Sequence, residues 1–191
     1  MCASVAIKRD VTSGWWVEDP QQKFRELILW LCARSETDPY FGATKLNKLL
    51  FFIDLEAMKK TGMTITKERY QKLPQGPAPR AMVAVLKQME QAGDTITRTC
   101  QVFSYPQRKT IALREPNLGV FSANELGIME QCVKQYWRKT AKRISMASHD
   151  FIGWQIVGEG DDIPFGSIFI SKRPLTPEEV QYGKILASEL T

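Results

Sequence analysis

The residues of this chain that are of reactive type fall into a few groups, and each group lacks a companion that its chemistry would need. His149 precedes Asp150, the two residue types of a general-base dyad, but side chains at adjacent positions diverge and no activated Ser or Cys is set beside them. A histidine that caps a helix or bonds a loop accounts for the pair better. Gly158 and Gly160 begin a dinucleotide fingerprint, yet Ile163 stands where the third glycine belongs and no strand leading into a helix surrounds it. Glu159, Asp161 and Asp162 are of magnesium-binding type, but a two-metal nuclease needs further carboxylates and a lysine in register, so a surface turn is expected. No Gly-Lys-Ser/Thr run exists to cradle a phosphate. Cys2, Cys32, Cys100 and Cys132 are scattered, and with His149 as the single histidine they form no closely spaced zinc pair. Buried free thiols are expected, and no catalytic residue, metal or cofactor is assigned.

The remaining polar and aromatic residues suggest binding. Asn47 and Asp54 lie two helical turns apart on a stripe shared with Phe51 and Met58, and polar groups so placed must be paired or lead to an interface. Asp54 is expected to accept hydrogen bonds from the segment at 70–80, with Arg80 as its best charged partner. The paired Trp15 and Trp16, with Trp30, suit either partner contacts or an N-terminal arm tucked onto the body.

These residues need elements to position them. The segment KLNKLLFFIDLEAMKK repeats Leu46, Leu49, Leu50, Ile53 and Ala57 at helical spacing, and its second apolar stripe makes it a hub. Thr44 is read as its cap and Gly62 as its stop. The loop that follows holds Pro74, Gly76, Pro77 and Pro79, and a backbone so restricted is held in one shape for packing or recognition. Asp19 and Pro20 announce a first helix to about Ser35 with Phe24, Leu27, Ile28 and Leu31 buried. A third runs from about Pro79 to Ala92, burying Met82, Val85, Leu86 and Met89. Thr95–Phe103 and Lys109–Arg114 alternate as strands of a β-hairpin with SYPQR between them. Ser122 and Glu125 form a capping box that opens a fourth helix with a Leu126, Met129, Val133, Trp137 stripe. A helical turn over 141–147, an ordered glycine-rich loop with a short strand at 168–170, and a terminal helix from Thr176 to Ser188 complete the reading. The fold class is α+β: one predominantly helical domain of about five helices with a small hairpin.

At 191 residues and 43% apolar composition the chain suffices for one real core, with an arm over 1–22, a domain over 23–170 and a helical tail over 171–191. No apolar run is long enough to span a bilayer and no secretory leader is evident, so the expectation is a cytoplasmic protein with no membrane partner. The net charge is +5, and the stretch 98–148 holds nine Lys or Arg against three acids, so the remainder is close to neutral. A basic middle suits phosphate or an acidic protein, though most such runs are solvated surface.

Taken in order, the Lys45–Asp54 helix start, the QGPAPRA turn, the capped helix at Ser122 and the spaced Ser148-His149, Gly153-Trp154, Glu159-Gly160 and Ile163-Pro164 pairs resemble one known family. The likeness runs from about Phe24 to Phe165 and is to the Panacea domain, the SocA-like antitoxin-associated family of bacteria and their mobile elements. The resemblance implies a protein encoded beside a toxin in a bacterial or phage toxin–antitoxin system, which it neutralises by direct binding. One member of that family instead delivers its toxin to a AAA+ protease. It also implies that Tyr70, Gln75, Arg80, His149 and Trp154 are mainly scaffold, and that the added arm and tail carry toxin specificity.

Two function classes follow. The leading one is an antitoxin whose partner is a cognate protein toxin and which performs no reaction. The alternative is a winged-helix-like transcriptional regulator on operator DNA, since two helices followed by a hairpin give that order and Arg98, Arg108, Lys109 and Arg114 decorate the supposed wing. The third helix offers few groups for base edges, with Lys87 and Arg80 its only cations. Oligomeric state is left open.

Overall fold

The computed structural model describes residues 20–102, 105–170 and 173–189. Its helices are α1 (Pro20–Arg34), α2 (Ala43–Thr61), α3 (Met82–Gln91), α4 (Ala123–Tyr136), α5 (Ala141–His149), α6 (Ile152–Gln155) and α7 (Pro177–Glu189). Short 3-10 turns at Leu118–Val120 and Phe165–Phe169 join them. Two antiparallel pairs complete the fold: β1 (Tyr70–Gln71) with β2 (Ala78–Pro79), and β3 (Thr95–Val102) with β4 (Tyr105–Ala112). The class is α+β, but the described residues hold seven α-helices rather than about five.

The centre of the fold is α2. Its first stripe, Leu46, Leu49, Leu50, Ile53 and Ala57, is buried throughout, and Phe51 and Asp54 of the second stripe are completely enclosed. Asn47 and Met58 at the ends of that stripe are half-buried. Helices α1, α4 and α5, strands β2 and β4 and the 165–169 turn all pack on it. Because α2 touches partners all round, even Lys45 and Lys48 lie inside, each at most 2% exposed. Gly62 ends the helix with φ of 76° and donates to Met58 O, the left-handed stop that glycine adopts without a Cβ clash. Thr44 is not the cap. Gly42 takes that position, where a Cβ would fall 2.5 Å from Gln107 Cγ, and Thr44 sits inside the first turn, donating to Gln75 Oε1 at 3.2 Å.

The capping box of α4 forms as expected: Glu125 N–H donates to Ser122 Oγ at 3.3 Å and Ser122 N–H to Glu125 Oε2 at 2.7 Å. Lys23 of α1 adds an ion pair to Glu125 at 2.9 Å. The buried stripe of α4 is rotated from the expected one, because Ile128, Cys132 and Tyr136 join Met129 and Val133 while Leu126 and Trp137 stay half-buried. The α1 face is as read, with Leu29, Trp30 and Cys32 buried beside it, so Trp30 belongs to the core. Cys132 is likewise buried and Cys100 half-buried, all three as free thiols.

Three further expectations change. Residues 78–79 form β2, so α3 begins at Met82 and not at Pro79. Strand β4 begins at Tyr105, pairing Val102↔Tyr105 and Gln101↔Pro106, so most of SYPQR is strand. A proline within polar residues hides this, since it donates nothing to a ladder and is tolerated only at an edge. Residues 165–169 form a 3-10 turn where a strand at 168–170 was expected, and α6 occupies part of the glycine-rich loop. Helix α7 follows at the end with none of its described residues buried. Among the described residues no helix is long and apolar enough to cross a membrane.

Candidate functional site

The sequence motifs converge on one side of α2. The 62–81 segment wraps across that helix, and the 145–165 segment closes over the loop from the other side. Backbone bonds zip the two segments together: Lys72 N–H to Asp161 O at 2.9 Å, Gly160 N–H to Lys72 O at 2.8 Å and Ile163 N–H to Tyr70 O at 2.8 Å.

Asp54 anchors the start of the wrap. Its Oδ1 accepts from Ile65 N–H at 2.8 Å and Thr66 N–H at 3.0 Å, and its Oδ2 accepts from Tyr70 OH at 2.8 Å and from the Thr66 hydroxyl. Complete burial raises the Asp54 carboxyl above the usual carboxylate range, against those four donors, and raises the enclosed Tyr70 phenol as well. Tyr70 packs edge-on to Phe51, with centroids 5.5 Å apart. The expected Arg80 partner of Asp54 is not found. Arg80 instead reaches outward to Asp162, to Gly160 O at 2.6 Å and to Gln71 Oε1 at 3.3 Å, tying the two segments together at the surface. A buried carboxylate satisfied by backbone and hydroxyl donors needs no guanidinium, and a helix interior cannot admit one without a further desolvation cost.

The proline loop is seated by Lys48. Its Nζ donates to Pro77 O at 2.7 Å, and burial lowers its ammonium to about 8. Gly76, with φ of 95°, lies so close that a Cβ would stand 2.5 Å from Ser148 Oγ, 2.8 Å from Lys48 Cε and 3.2 Å from His149 Nε2. Gln75 is held from both sides: Thr44 donates to its side chain and the Ser145 hydroxyl to its backbone carbonyl. His149 stacks on Trp154 with centroids 4.0 Å apart and planes 8° from parallel, and Lys72 Nζ lies 4.3 Å from the Trp154 ring centroid. Burial and the nearby charges of Lys48 and Lys72 lower the His149 imidazole, outweighing the opposite pull of Asp150. The stack uses the face of the imidazole, and His149 Nε2 lies enclosed beside the Gly76 backbone.

Asp54, Tyr70, Gln75, Arg80, His149 and Trp154 thus belong to one structural junction, while Asn47 is half-buried on α2 with its Oδ1 enclosed and, among the described residues, given no hydrogen bond. Trp15 and Trp16 lie outside the described residues. Lys48, Lys72 and Ser145 are the members that sequence reasoning missed, whereas Gly76, Ser148 and Asp162 are named there for the loop, the family likeness and the acidic turn. Lys48, set among the buried Leu46, Leu49 and Leu50 of a helix apolar on more than one face, is the one whose position signals burial. The acid group at 159–162 is a turn: Asp161 accepts from Gly158 N–H at 3.0 Å and Asp162 pairs with Arg69 and Arg80. Among the described residues no group of three or more His, Cys, Asp or Glu is gathered to hold a metal ion.

The supposed wing is also partly occupied. Lys109 donates to Glu36 O at 2.6 Å, and Arg114 binds Glu26 and Asp94, leaving Arg98 and Arg108 exposed on the hairpin.

A helical scaffold in which Lys48, Asp54, Tyr70 and Arg80 lock a proline loop and its neighbouring segment against a central helix is the class of protein defined by this geometry. Residues 46–155, more than half of the chain, match the family model of the Antitoxin SocA-like, Panacea domain, and the chain belongs to that family. No curated protein and no solved structure matches it.

Proposed function

We propose that this chain is the antitoxin of a toxin–antitoxin pair, a cytoplasmic protein that neutralises its cognate protein toxin by direct binding and performs no reaction of its own. The observation that carries the reading is membership of the SocA-like antitoxin family across the region that builds the junction. Physical support comes from how the motif residues are used. Asp54, Tyr70, Lys48 and Arg80 bond to partners within the chain, so they build a rigid platform and leave recognition to the surface around it. A neutralising complex of ordinary size would bury on the order of 1,600 Å².

The test is co-expression with the product of the adjacent open reading frame. Growth is restored and the two proteins co-purify if the reading is right; a toxic neighbour that is neither rescued nor captured overturns it. Delivery to a AAA+ protease is a distinct outcome of the same experiment, in which rescue disappears when the protease is deleted. Operator DNA is the weaker alternative, because two of the four hairpin cations already have partners within the chain.

A further inference from the structure

The most deeply enclosed ion pair of the described residues has one evident task. Asp38 and Lys45, each 1% exposed at the side chain, meet at 2.7 Å. Their remaining capacity is spent on one turn. Asp38 Oδ2 also accepts from Arg138 N–H at 3.1 Å, and Lys45 Nζ also donates to Lys139 O at 2.8 Å. Asp38 Oδ1 meanwhile accepts from Tyr40 N–H at 2.9 Å, which fixes the loop that carries the carboxylate. The pair therefore grips the connection between α4 and α5 by a backbone donor and a backbone acceptor at successive residues.

That grip holds an unfavourable conformation. Arg138 has φ of 54°, a left-handed value that a residue with a long side chain adopts only where its surroundings over-determine it. Lys139 N–H donates to Tyr136 O at 3.1 Å, the Lys139 ammonium lies 5.2 Å from the Tyr136 ring centroid, and Thr140 caps α5 by accepting from Arg143 N–H. The result is a rigid corner.

The corner is cationic and unneutralised. Lys134, Arg138, Lys142 and Arg143 are exposed, and among the described residues none of them has an acidic partner. Five arginines elsewhere, Arg34, Arg69, Arg80, Arg114 and Arg173, are ion-paired within the chain, and Arg98 and Arg108 are exposed on the hairpin without the fixed backbone or the apolar neighbours of the corner. On the same face of α5, three and four residues beyond Arg143 and Lys142, Met146 is 60% exposed, and Trp137 lies half-buried at the corner itself. Arginine, methionine and tryptophan around a fixed backbone are what protein interfaces enrich, whereas a phosphate backbone has no use for an exposed thioether.

We propose that the corner from Lys134 to Met146 is the surface on which the toxin docks, and that the toxin presents to it a cluster of carboxylates beside an apolar side chain. This rests on the antitoxin reading above and names the antitoxin surface and the partner chemistry. Rigid presentation of several cations lowers the ordering cost of binding, and unpaired charge speeds encounter with an acidic face.

The experiment uses the full chain and the purified product of the adjacent open reading frame, titrated by calorimetry at about 50 and about 300 mM salt. The wild-type chain binds, more weakly at the higher salt. The variant Arg138→Glu/Lys142→Glu/Arg143→Glu binds at least about 100-fold more weakly, while Arg98→Glu/Arg108→Glu on the hairpin stays within about twofold. All five positions are exposed, and circular dichroism on each variant confirms the native fold; the milder Lys142→Ala/Arg143→Ala gives an intermediate loss. Undiminished binding by the triple variant overturns the docking surface and leaves the antitoxin reading standing. Failure of the wild-type chain to bind overturns both. If the triple variant keeps the toxin but loses a DNA duplex taken from upstream of its own gene, the corner is a nucleic-acid surface and the proposal is overturned.

Discussion

The Nζ of Lys48 on α2 donates to the carbonyl of Pro77 at 2.7 Å, inside the fold and, among the described residues, with no carboxylate as a hydrogen-bond partner of that ammonium. A lone buried cation is held against its desolvation cost, and the return is a proline loop fixed to the central helix.

Burial brings the Lys48 ammonium to about 8, whereas in the unfolded chain it keeps its ordinary value of 10.5. Between these values the unfolded chain holds a proton that the folded chain has released, so Lys48 makes stability rise with pH across that window. Denaturation of the wild type and of Lys48→Met, compared at pH 8 and pH 10, should show the wild type gaining about 2 kcal/mol relative to the variant. Comparison with the variant cancels the opposing contribution of Cys32 and Cys132, whose thiols are pushed up to about 12 and which therefore weaken the fold at high pH. Parallel curves for the two proteins would rule out the desolvated lysine.

Gly76 and Gly62 both have positive φ, at 95° and 76°, but only Gly76 has neighbours within reach of an added Cβ. Gly62→Ala should cost about 1 kcal/mol from backbone strain alone, and Gly76→Ala at least about twice that because Ser148 and Lys48 must also move. Urea midpoints of the two variants decide the point; equal losses would show that the loop does not bear on α5.

Asp54→Leu leaves four donors without an acceptor in a sealed site, and the expected loss is about 3–5 kcal/mol. Asp54→Asn keeps one oxygen for the two amides and lets the Thr66 and Tyr70 hydroxyls turn to accept, so about 1–2 kcal/mol is expected. Burial raises the Asp54 carboxyl above its unfolded value, so the folded chain takes up that proton first and acidification toward pH 4 should make the contribution of this site to stability rise in the wild type, a gain that the Leu and Asn variants lack. Thermal melts of the three proteins, run across that acid range, test the order.

Lys45→Met strands the Asp38 carboxylate and releases the Lys139 carbonyl, and about 3–5 kcal/mol of stability should go with it. Lys45→Met/Asp38→Asn should recover a good part of that loss, because no uncompensated charge is then buried. The double-mutant cycle from chemical denaturation gives the coupling, and additive losses would show that the two side chains act separately.

Much of the fold is legible along the chain. The stripes of α1 and α2, the Ser122–Glu125 capping box and the Gly62 stop are written within a few residues of where they act, since helical periodicity and capping are local. The start of β4 is less so, because Pro106 and Arg108 carry no strand preference and their pairing is imposed by β3. The site divides in the same way. Burial of Asp54 follows from its stripe, and the expectation that the 70–80 segment would bond it is met through Tyr70, with Arg80 excluded.

By itself the order of residues determined that a doubly apolar helix would lie at the centre, that a stiff proline loop would follow it, and which family the motifs belong to. What the tertiary structure alone decided is which polar groups meet. Arg80 finds Asp162 and Gly160, Lys48 finds Pro77, and Asp38 and Lys45 close on the Arg138 corner. Such partners lie tens of residues apart, and their pairing depends on packing directions and on the cost of leaving charge unsatisfied in the interior, neither of which has a period in the sequence.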